Sequence, residues 1–367
     1  MQVTSDQRYT RLSAAIRDRD LDCLVLVPGA NLTYVTGLTF FLGDRPTAGY
    51  FFPDRPPALV LPVLEAPKAA GLDLELFTWS DEAGYTGAFQ RAAGELGLAG
   101  RRIGVEAFTM RVVELQLLEQ TALAARLIPA DGVVAGLRMR KDLEEVEQMR
   151  RAADLAQRAL QTTLAEFQVG MTERRLASML KIALLEAGAE GLPFDPIVAA
   201  GPNAANPHGH PTDRPVQEGD FLLFDWGATV NGYCSDITRT YPVGRMEPEM
   251  RTIYDLVLAS NQAGQKAVRP GASCEQVDAA ARHVIDHGGY GGRFFHRTGH
   301  GLGMQGHEPP SIVAGNDQVL ELGMTFTIEP GIYLAGRNGV RIEDDMVVTE
   351  EGSECLTTLC RDWIPVG

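Results

Sequence analysis

Long apolar runs are missing from this 367-residue chain. No stretch reaches the roughly 18 consecutive apolar residues of a membrane-spanning helix, so no membrane partner is expected. An excess of positive charge is missing too. The formal net charge is −15, which argues against nucleic acid, a partner that asks for basic patches. The opening MQVTSDQRYT is polar and has no apolar leader. Cysteine is sparse, odd in number and scattered: Cys23, Cys234, Cys274, Cys355 and Cys360. A disulfide framework is therefore not expected, and a reducing cytoplasm is. Cys355 and Cys360 have no histidine nearby and read as structural thiols. What is present is a chain with 45% hydrophobic residues, long enough for two domains or one large one.

The first part reads as α/β. RYTRLSAAIRDRDL has helical spacing, CLVLV is a short buried strand, and GYFFP, PALVLP and RIGVE read as further strands. Helical stretches are expected around 64–70, 81–97 and in MRVVELQLLEQ. Strands alternating with helices predict an α/β domain over residues 1–135. A second domain, 136–367, opens with a long helical pattern from about 142 to 167, where Asp142 and Glu145 have capping-box spacing. This part repeats itself. Each half has a long helix, then a glycine (Gly170, Gly271), then a second helix ending at a glycine (Gly188, Gly288), then strands. Ser273 and Gln276 supply a capping box in the second copy. Residues 220–243 read as two strands joined at Asn231-Gly232, and 324–349 as two strands joined at Asn338-Gly339. Duplicated halves of this kind favour a site between them.

Each predicted hairpin carries an acid on each arm: Asp225 and Asp236 in the first, Glu329 and Glu343 in the second. On an exposed strand face such acids are harmless, but that face would alternate and would set Lys or Arg across the ladder. FLLFD and MTFTIE do neither. Acids rarely enter buried strands without a partner. Four carboxylates match the charge of two divalent cations. A third cluster, HRTGHGLGMQGHEPP, holds three of the seven histidines, His296, His300 and His307. Glycines around His300 argue against a helix and for an extended segment with close backbone approach. Oxygen-rich ligation with one imidazole favours Mn²⁺, with Co²⁺ or Zn²⁺ as alternatives.

FDWG…SDITRTY, HRTGHGLG…HEPP, TIEPGIY and GVRIEDD together resemble the prolidase/aminopeptidase P family of metallopeptidases, and NLTYVTGL resembles a segment of its N-terminal domain. Each motif alone is weak; five in order are specific. The resemblance implies an α/β N-terminal domain followed by an α+β pita-bread domain of two related helix–helix–strand halves. It implies a dinuclear site held by Asp225, Asp236, His300, Glu329 and Glu343, with Asp236 and Glu343 bridging both ions. It further implies that His307 meets the substrate and the tetrahedral intermediate, and that Glu329 passes a proton to the departing nitrogen. His208 and His296 would line the substrate site, and Arg341 would order the second hairpin. His210, His283 and His287 read as loop or exposed helix residues.

The implied activity is metal-dependent hydrolysis of Xaa-Pro bonds in proline-containing di- or oligopeptides. HEPPSIVAGND is most similar to the small bacterial prolidases, so an Xaa-Pro dipeptidase is the preferred expectation and aminopeptidase P the alternative. Archaeal relatives carry an arginine where Ser311 stands, and Arg297 is the candidate replacement cation for a dipeptide's carboxylate. A methionine aminopeptidase would leave the first domain unexplained. An inactive peptide-binding module would not need the intact donor set. A homodimer is expected. GLTFFLGDRPTAGY (37–50) reads as a covering loop that limits substrate length across the dimer.

Overall fold

The computed structural model describes residues 2–367. Internal contacts divide the chain into two units, with the break between Arg138 and Met139. The first unit runs α1 (Gln2–Asp18), β1 (Cys23–Leu26), α2 (Ala30–Thr36), β2 (Ala48–Phe51), β3 (Ala58–Pro62), β4 (Glu75–Trp79), α3 (Thr86–Glu95), β5 (Arg102–Val105), α4 (Val112–Thr121), β6 (Arg126–Pro129) and α5 (Asp131–Arg138). Its six strands form one mixed sheet in the order β4-β3-β2-β1-β5-β6. Only the β1–β2 and β2–β3 pairs are antiparallel. CLVL is buried along its whole length, as a central strand covered on both faces must be. Gly104 in β5 lets Leu21 and Ala130 pack onto the sheet; a Cβ there would lie 2.8–2.9 Å from both.

Four elements of this unit escape a reading of the sequence. They are α2, β4, β6 and α5, all short and several only part-buried. The helix expected near 64–70 is a 3₁₀ helix, Val63–Ala69, with Pro67 inside it. Residues 37–50 begin at Gly37, which ends α2 in a left-handed conformation (φ 72°) and donates to the Thr33 carbonyl. They run as a loop and enter β2 at Ala48. Phe40 is buried beneath Lys68, whereas Phe41 is 87% exposed.

The second unit begins with α6 (Leu143–Ala165) and α7 (Glu173–Glu186), then β7 (Ile197–Ala200), β8 (Phe221–Trp226), β9 (Thr229–Val230), β10 (Tyr233–Cys234) and β11 (Ile237–Pro242). The pattern then recurs: α8 (Pro248–Ala267), α9 (Cys274–His287), β12 (Gly299–Gly301), β13 (Glu308–Ile312), β14 (Thr325–Ile328), β15 (Gly331–Leu334), β16 (Asn338–Arg341), β17 (Asp344–Thr349) and β18 (Gly352–Cys355). The larger sheets are antiparallel, β11-β8-β7 and β13-β12-β14-β17-β18. Both expected capping boxes form. The Asp142 and Glu145 side chains each accept the other's backbone N–H, at 2.9 and 2.8 Å. Ser273 and Gln276 do the same at 3.2 and 3.1 Å.

The two predicted hairpin turns fare differently. Asn231 and Gly232 have φ of 48° and 77° and form the tight turn between β9 and β10 that Asn-Gly favours. The second turn lies three residues earlier than the sequence suggests, at Ala335–Arg337, with Gly336 at φ 74°. Asn338 and Gly339 are instead paired within β16. Asn338 reaches across to the start of β8, accepting from Phe221 N–H at 2.7 Å. Gly339 is needed for close approach, since a Cβ there would sit 2.0 Å from the Ala204 carbonyl oxygen.

A buried ion pair holds the two halves together behind their strands. Arg239 on β11 donates to Asp344 on β17 at 2.7 Å, to the Glu343 carbonyl at 2.6 Å, and to the carbonyls of Leu359 and Cys360. Asp344 also accepts from Thr357, Asn261, Gln265 and Arg361. Burial alone would raise its carboxyl pKa; Arg239, Arg361 and Thr357 outweigh that and hold it at about 2. Asp344→Ala would strand the Arg239 charge in the interior. We expect it to lower unfolding stability by about 3–5 kcal/mol, read as a drop in the urea midpoint of the metal-free protein.

Candidate metal centre

Strand register brings the acids of the two halves to one place. Asp225 on β8 faces Thr238 on β11, and Thr238 forms an isolated bridge to Glu343. The Thr238 hydroxyl donates to the Glu343 carboxylate at 2.6 Å and accepts from Arg341 Nε at 3.0 Å. Arg341 also donates to Asp225 at 2.6 Å. It is thus the cation across from Asp225 as well as an organiser of the second hairpin. Asp236 precedes β11, and Glu329 follows β14.

His300 enters from β12. Its neighbours must be glycines because β12 is squeezed between β13 and β14. A Cβ on Gly299 would lie 1.8 Å from the Thr327 carbonyl oxygen, and one on Gly301 would lie 2.1 Å from that of Pro309. On Gly303 it would meet the Glu308 carboxylate and the Lys141 stem at 2.6 Å. The His300 Nδ1–H donates to the Gly301 carbonyl at 3.1 Å. That leaves the bare Nε2 facing Asp236 and Glu329 oxygens at 3.6 and 3.5 Å. A lone pair aimed at carboxylates is repulsive unless a cation stands between them.

Other observations fit the same cation. Donor atoms lie within 4.8 Å of one another in three sets: Asp225, Asp236 and Glu343; His300, Glu329 and Glu343; and Asp236, His300 and His307. Asp225 Oδ1 is buried with no hydrogen-bond partner. Burial, reinforced by the neighbouring carboxylates, pushes Asp236 and Glu343 well above the usual carboxyl range. Burial and Asp225, against Arg341, push Glu329 up to about 7. Acids this strained in isolation are the ones that metal ions relieve. The residues present therefore suit a pair of divalent ions, with Asp225, Asp236, His300, Glu329 and Glu343 as donors.

Around this centre the imidazoles have definite tautomers, assigned from their partners. His307 packs against His300, ring centres 3.8 Å apart and planes tilted by 43°. Its Nδ1 lies 3.1 Å from Arg297 Nη2. A guanidinium only donates, so Nδ1 accepts and the ring proton stands on Nε2. Burial and Arg297 bring the His307 pKa down to about 4, which keeps the ring neutral at pH 7. Arg297 also reaches Ser311, at 3.4 Å. His208 lies on the exposed loop between β7 and β8.

Tyr333 is the functional residue the sequence reading missed. Its hydroxyl accepts from Arg341 at 3.0 Å and so donates to His296 Nε2 at 2.9 Å. His296 Nδ1–H then donates to the Arg297 carbonyl at 2.7 Å. With both nitrogens engaged, His296 offers the site a ring face and no free polar atom. Phe295, 65% exposed, stands 5.5 Å from the Tyr333 ring. The signal for Tyr333 was available in GIYL, a tyrosine placed four residues after an expected metal donor. Lys141 and Glu308 were missed too. They form a buried ion pair at 2.6 Å beside Gly303.

An oxygen-rich donor set with one imidazole, flanked by a neutral histidine that can donate, is the site of a metal-dependent hydrolase. Comparison with known proteins agrees. Residues 147–350 match the model of metallopeptidase family M24, and residues 8–140 match the creatinase/prolidase N-terminal domain. A probable dipeptidase, PepE, of Mycobacterium tuberculosis is 38% identical over 98% of this chain and 96% of its own length. A prolidase from Thermococcus sibiricus aligns with TM-score 0.94 at 34% identity, covering 98% of this chain and 99% of that one. An Xaa-Pro dipeptidase from Bacillus anthracis aligns with TM-score 0.91 at 31% identity, covering 99% and 100%. The chain belongs to metallopeptidase family M24, a family with a dinuclear metal site, and joins a creatinase-type N-terminal domain to a pita-bread C-terminal domain.

The raised carboxyls predict a pH signature in the metal-free protein. A carboxyl raised in the folded state stabilises it fully below its unfolded value, near 4.5 for Glu329, and loses that contribution as pH rises through about 7. The melting temperature of the chelated protein should therefore fall between about pH 5 and pH 8. Added divalent ions should abolish most of the fall. A chelated protein whose melting temperature is flat or rises over this range would contradict the assignment.

Proposed function

We propose that this metallopeptidase hydrolyses Xaa-Pro bonds and that Xaa-Pro dipeptides are its principal substrates. The observation that carries the reading is Arg297, set against Ser311 and His307 beside the metal donors. In that position a guanidinium can hold a dipeptide's carboxylate while the scissile bond lies over the centre. The named relatives, dipeptidases and prolidases, support the same substrate class.

When bound, the ions supply Lewis acidity and acidify water at neutral pH. The rest is done by side chains. Asp225, Asp236, His300, Glu329 and Glu343 would hold the ions. His307 Nε2–H points its proton at the scissile carbonyl oxygen and strengthens that bond as negative charge develops. Glu329 takes the proton that the attacking water gives up as its oxygen bonds the carbonyl carbon, and delivers it to the leaving nitrogen as the C–N bond breaks. His208 binds the substrate from its loop. The His296 and Phe295 rings give the proline an apolar wall. An Xaa-Pro amide has no N–H, and a wall without acceptors asks for none. Arg341, through Tyr333, Thr238 and Asp225, keeps this wall aligned with the metal donors.

The oxygen-rich set favours Mn²⁺ over Co²⁺ and Zn²⁺. We further propose a cytoplasmic homodimer. Five free thiols support a reducing compartment. Among the described residues no helix is long and apolar enough to cross a membrane.

Kinetics on Xaa-Pro dipeptides and Xaa-Pro-Yaa tripeptides, with each metal in turn, test the reading. Dipeptides should be preferred; a preference for tripeptides would establish aminopeptidase P specificity instead. Arg297→Ala should raise KM for dipeptides about tenfold more than for tripeptides, the weight of one lost charge-assisted bond. Asp236→Ala should abolish activity by removing a donor. His307→Ala should lower kcat by about 10²–10³ with metal content retained. Loss of metal with unchanged turnover per bound ion would reassign His307 as a donor.

A further inference from the structure

Glu173 occupies the first position of α7, yet its carboxylate takes no part in capping that helix. Thr172 does so, accepting from Arg175 N–H at 3.1 Å. Glu173 is fully buried, at 0% exposure. A carboxylate removed from water is costly unless donors replace the water. Here they come from the two ends of one loop. At one end are Ala200 N–H at 2.7 Å and Asn203 Nδ2 at 3.0 Å to each oxygen. At the other are Thr212 N–H at 2.9 Å and the Thr212 hydroxyl at 2.6 Å. The first turn of α7 adds backbone ties on the same side, Arg174 N–H to the Thr212 carbonyl and Glu173 N–H to that of Arg214. Between the clamped ends runs the exposed segment that carries His208.

The internal duplication supplies a control. In the second half, Gly271-Ala-Ser-Cys aligns with Gly170-Met-Thr-Glu, so Cys274 stands where Glu173 stands. Cys274 is equally buried, and Ser273 caps that helix just as Thr172 caps α7. Starting such a helix therefore needs no acid at this position. The acid is found in the first half only, where its partners are the two ends of the loop that carries His208.

We propose that Glu173 is a positioning residue. By drawing residues 200–203 and 212 onto one carboxylate it sets where His208 stands, and through His208 it sets the binding of the peptide. The inference rests on the substrate-binding role given to His208 above. Small displacements of positioned groups cost up to about 10²-fold in rate.

The test is a double-mutant cycle in the metal-loaded, full-length protein, with Glu173→Gln, His208→Ala and the pair, assayed on an Xaa-Pro dipeptide. Thr212→Val, which removes one hydroxyl donor and keeps the chain's shape, stands in if Glu173→Gln fails to fold. Glu173→Gln should raise KM roughly tenfold or more with two metal ions retained and kcat little changed. Hydrogen exchange across 198–213 should quicken. In the His208→Ala background the same change should alter kcat/KM less than about twofold, because the groups act in series. An equal loss in both backgrounds would show a general structural role and overturn the proposal, as would unchanged exchange in the loop. A wild-type KM in His208→Ala alone would instead remove the role given to His208, and with it the path by which Glu173 acts. Quickened exchange would then survive as a separate observation.

Discussion

Carboxylates repel one another most where water is scarce, and this fold drives four of them into such a place. Asp225, Asp236, Glu329 and Glu343 meet among buried strands, and among the described residues Arg341 bonds one of their carboxylates directly, that of Asp225. The remaining negative charge is the condition that the surrounding structure answers. Thr238 and Arg341 fix the oxygens by hydrogen bonds. The Arg239–Asp344 pair ties the two strands from behind, out of reach of the reacting side. The glycines around His300 let β12 come close enough for an imidazole lone pair to join the donors.

The three histidines of one short segment divide their work by hydrogen bonding. Each ring is held by a different partner: a backbone carbonyl for His300, a guanidinium for His307, a tyrosine and a carbonyl for His296. The results are a lone pair, a donor and a ring face. Identical side chains thus acquire distinct chemistry from the groups behind them, which is the usual means of setting imidazole function.

Much of this could be read before any coordinates. The capping boxes, the duplicated helix pairs and the Asn231-Gly232 turn are local features, written in adjacent residues and set by local energetics. The acids were legible because apolar surroundings make an ionised side chain conspicuous. The Asn338-Gly339 turn was misplaced because its two residues serve long-range needs, a bond to Phe221 and clearance for Ala204, that imitate a turn signal. Tyr333 was passed over since a tyrosine in an apolar strand is ordinary; its place four residues after Glu329 was the signal, and its pairing with Arg341 and His296 gives that signal meaning. Glu173 and Asp344 look like surface acids in sequence; their partners lie up to 105 positions away in the chain. In the first unit, short or part-buried elements such as β4 and β6 lack the continuous apolar pattern that marked β1.

The tie from Arg239 to residues 357–361 bears on the order of events during synthesis. Every candidate metal donor has been made once Glu343 emerges, but Leu359, Cys360, Thr357 and Arg361 are still to come. Until they arrive, Arg239 and Asp344 lack part of their shell, and the strands bearing Asp236 and Glu343 are not fully locked. The first unit, complete at Arg138, is free to fold while the rest is being translated. The candidate donors, by contrast, gain the full hydrogen-bonded support behind them only when residues 357–361 are in place.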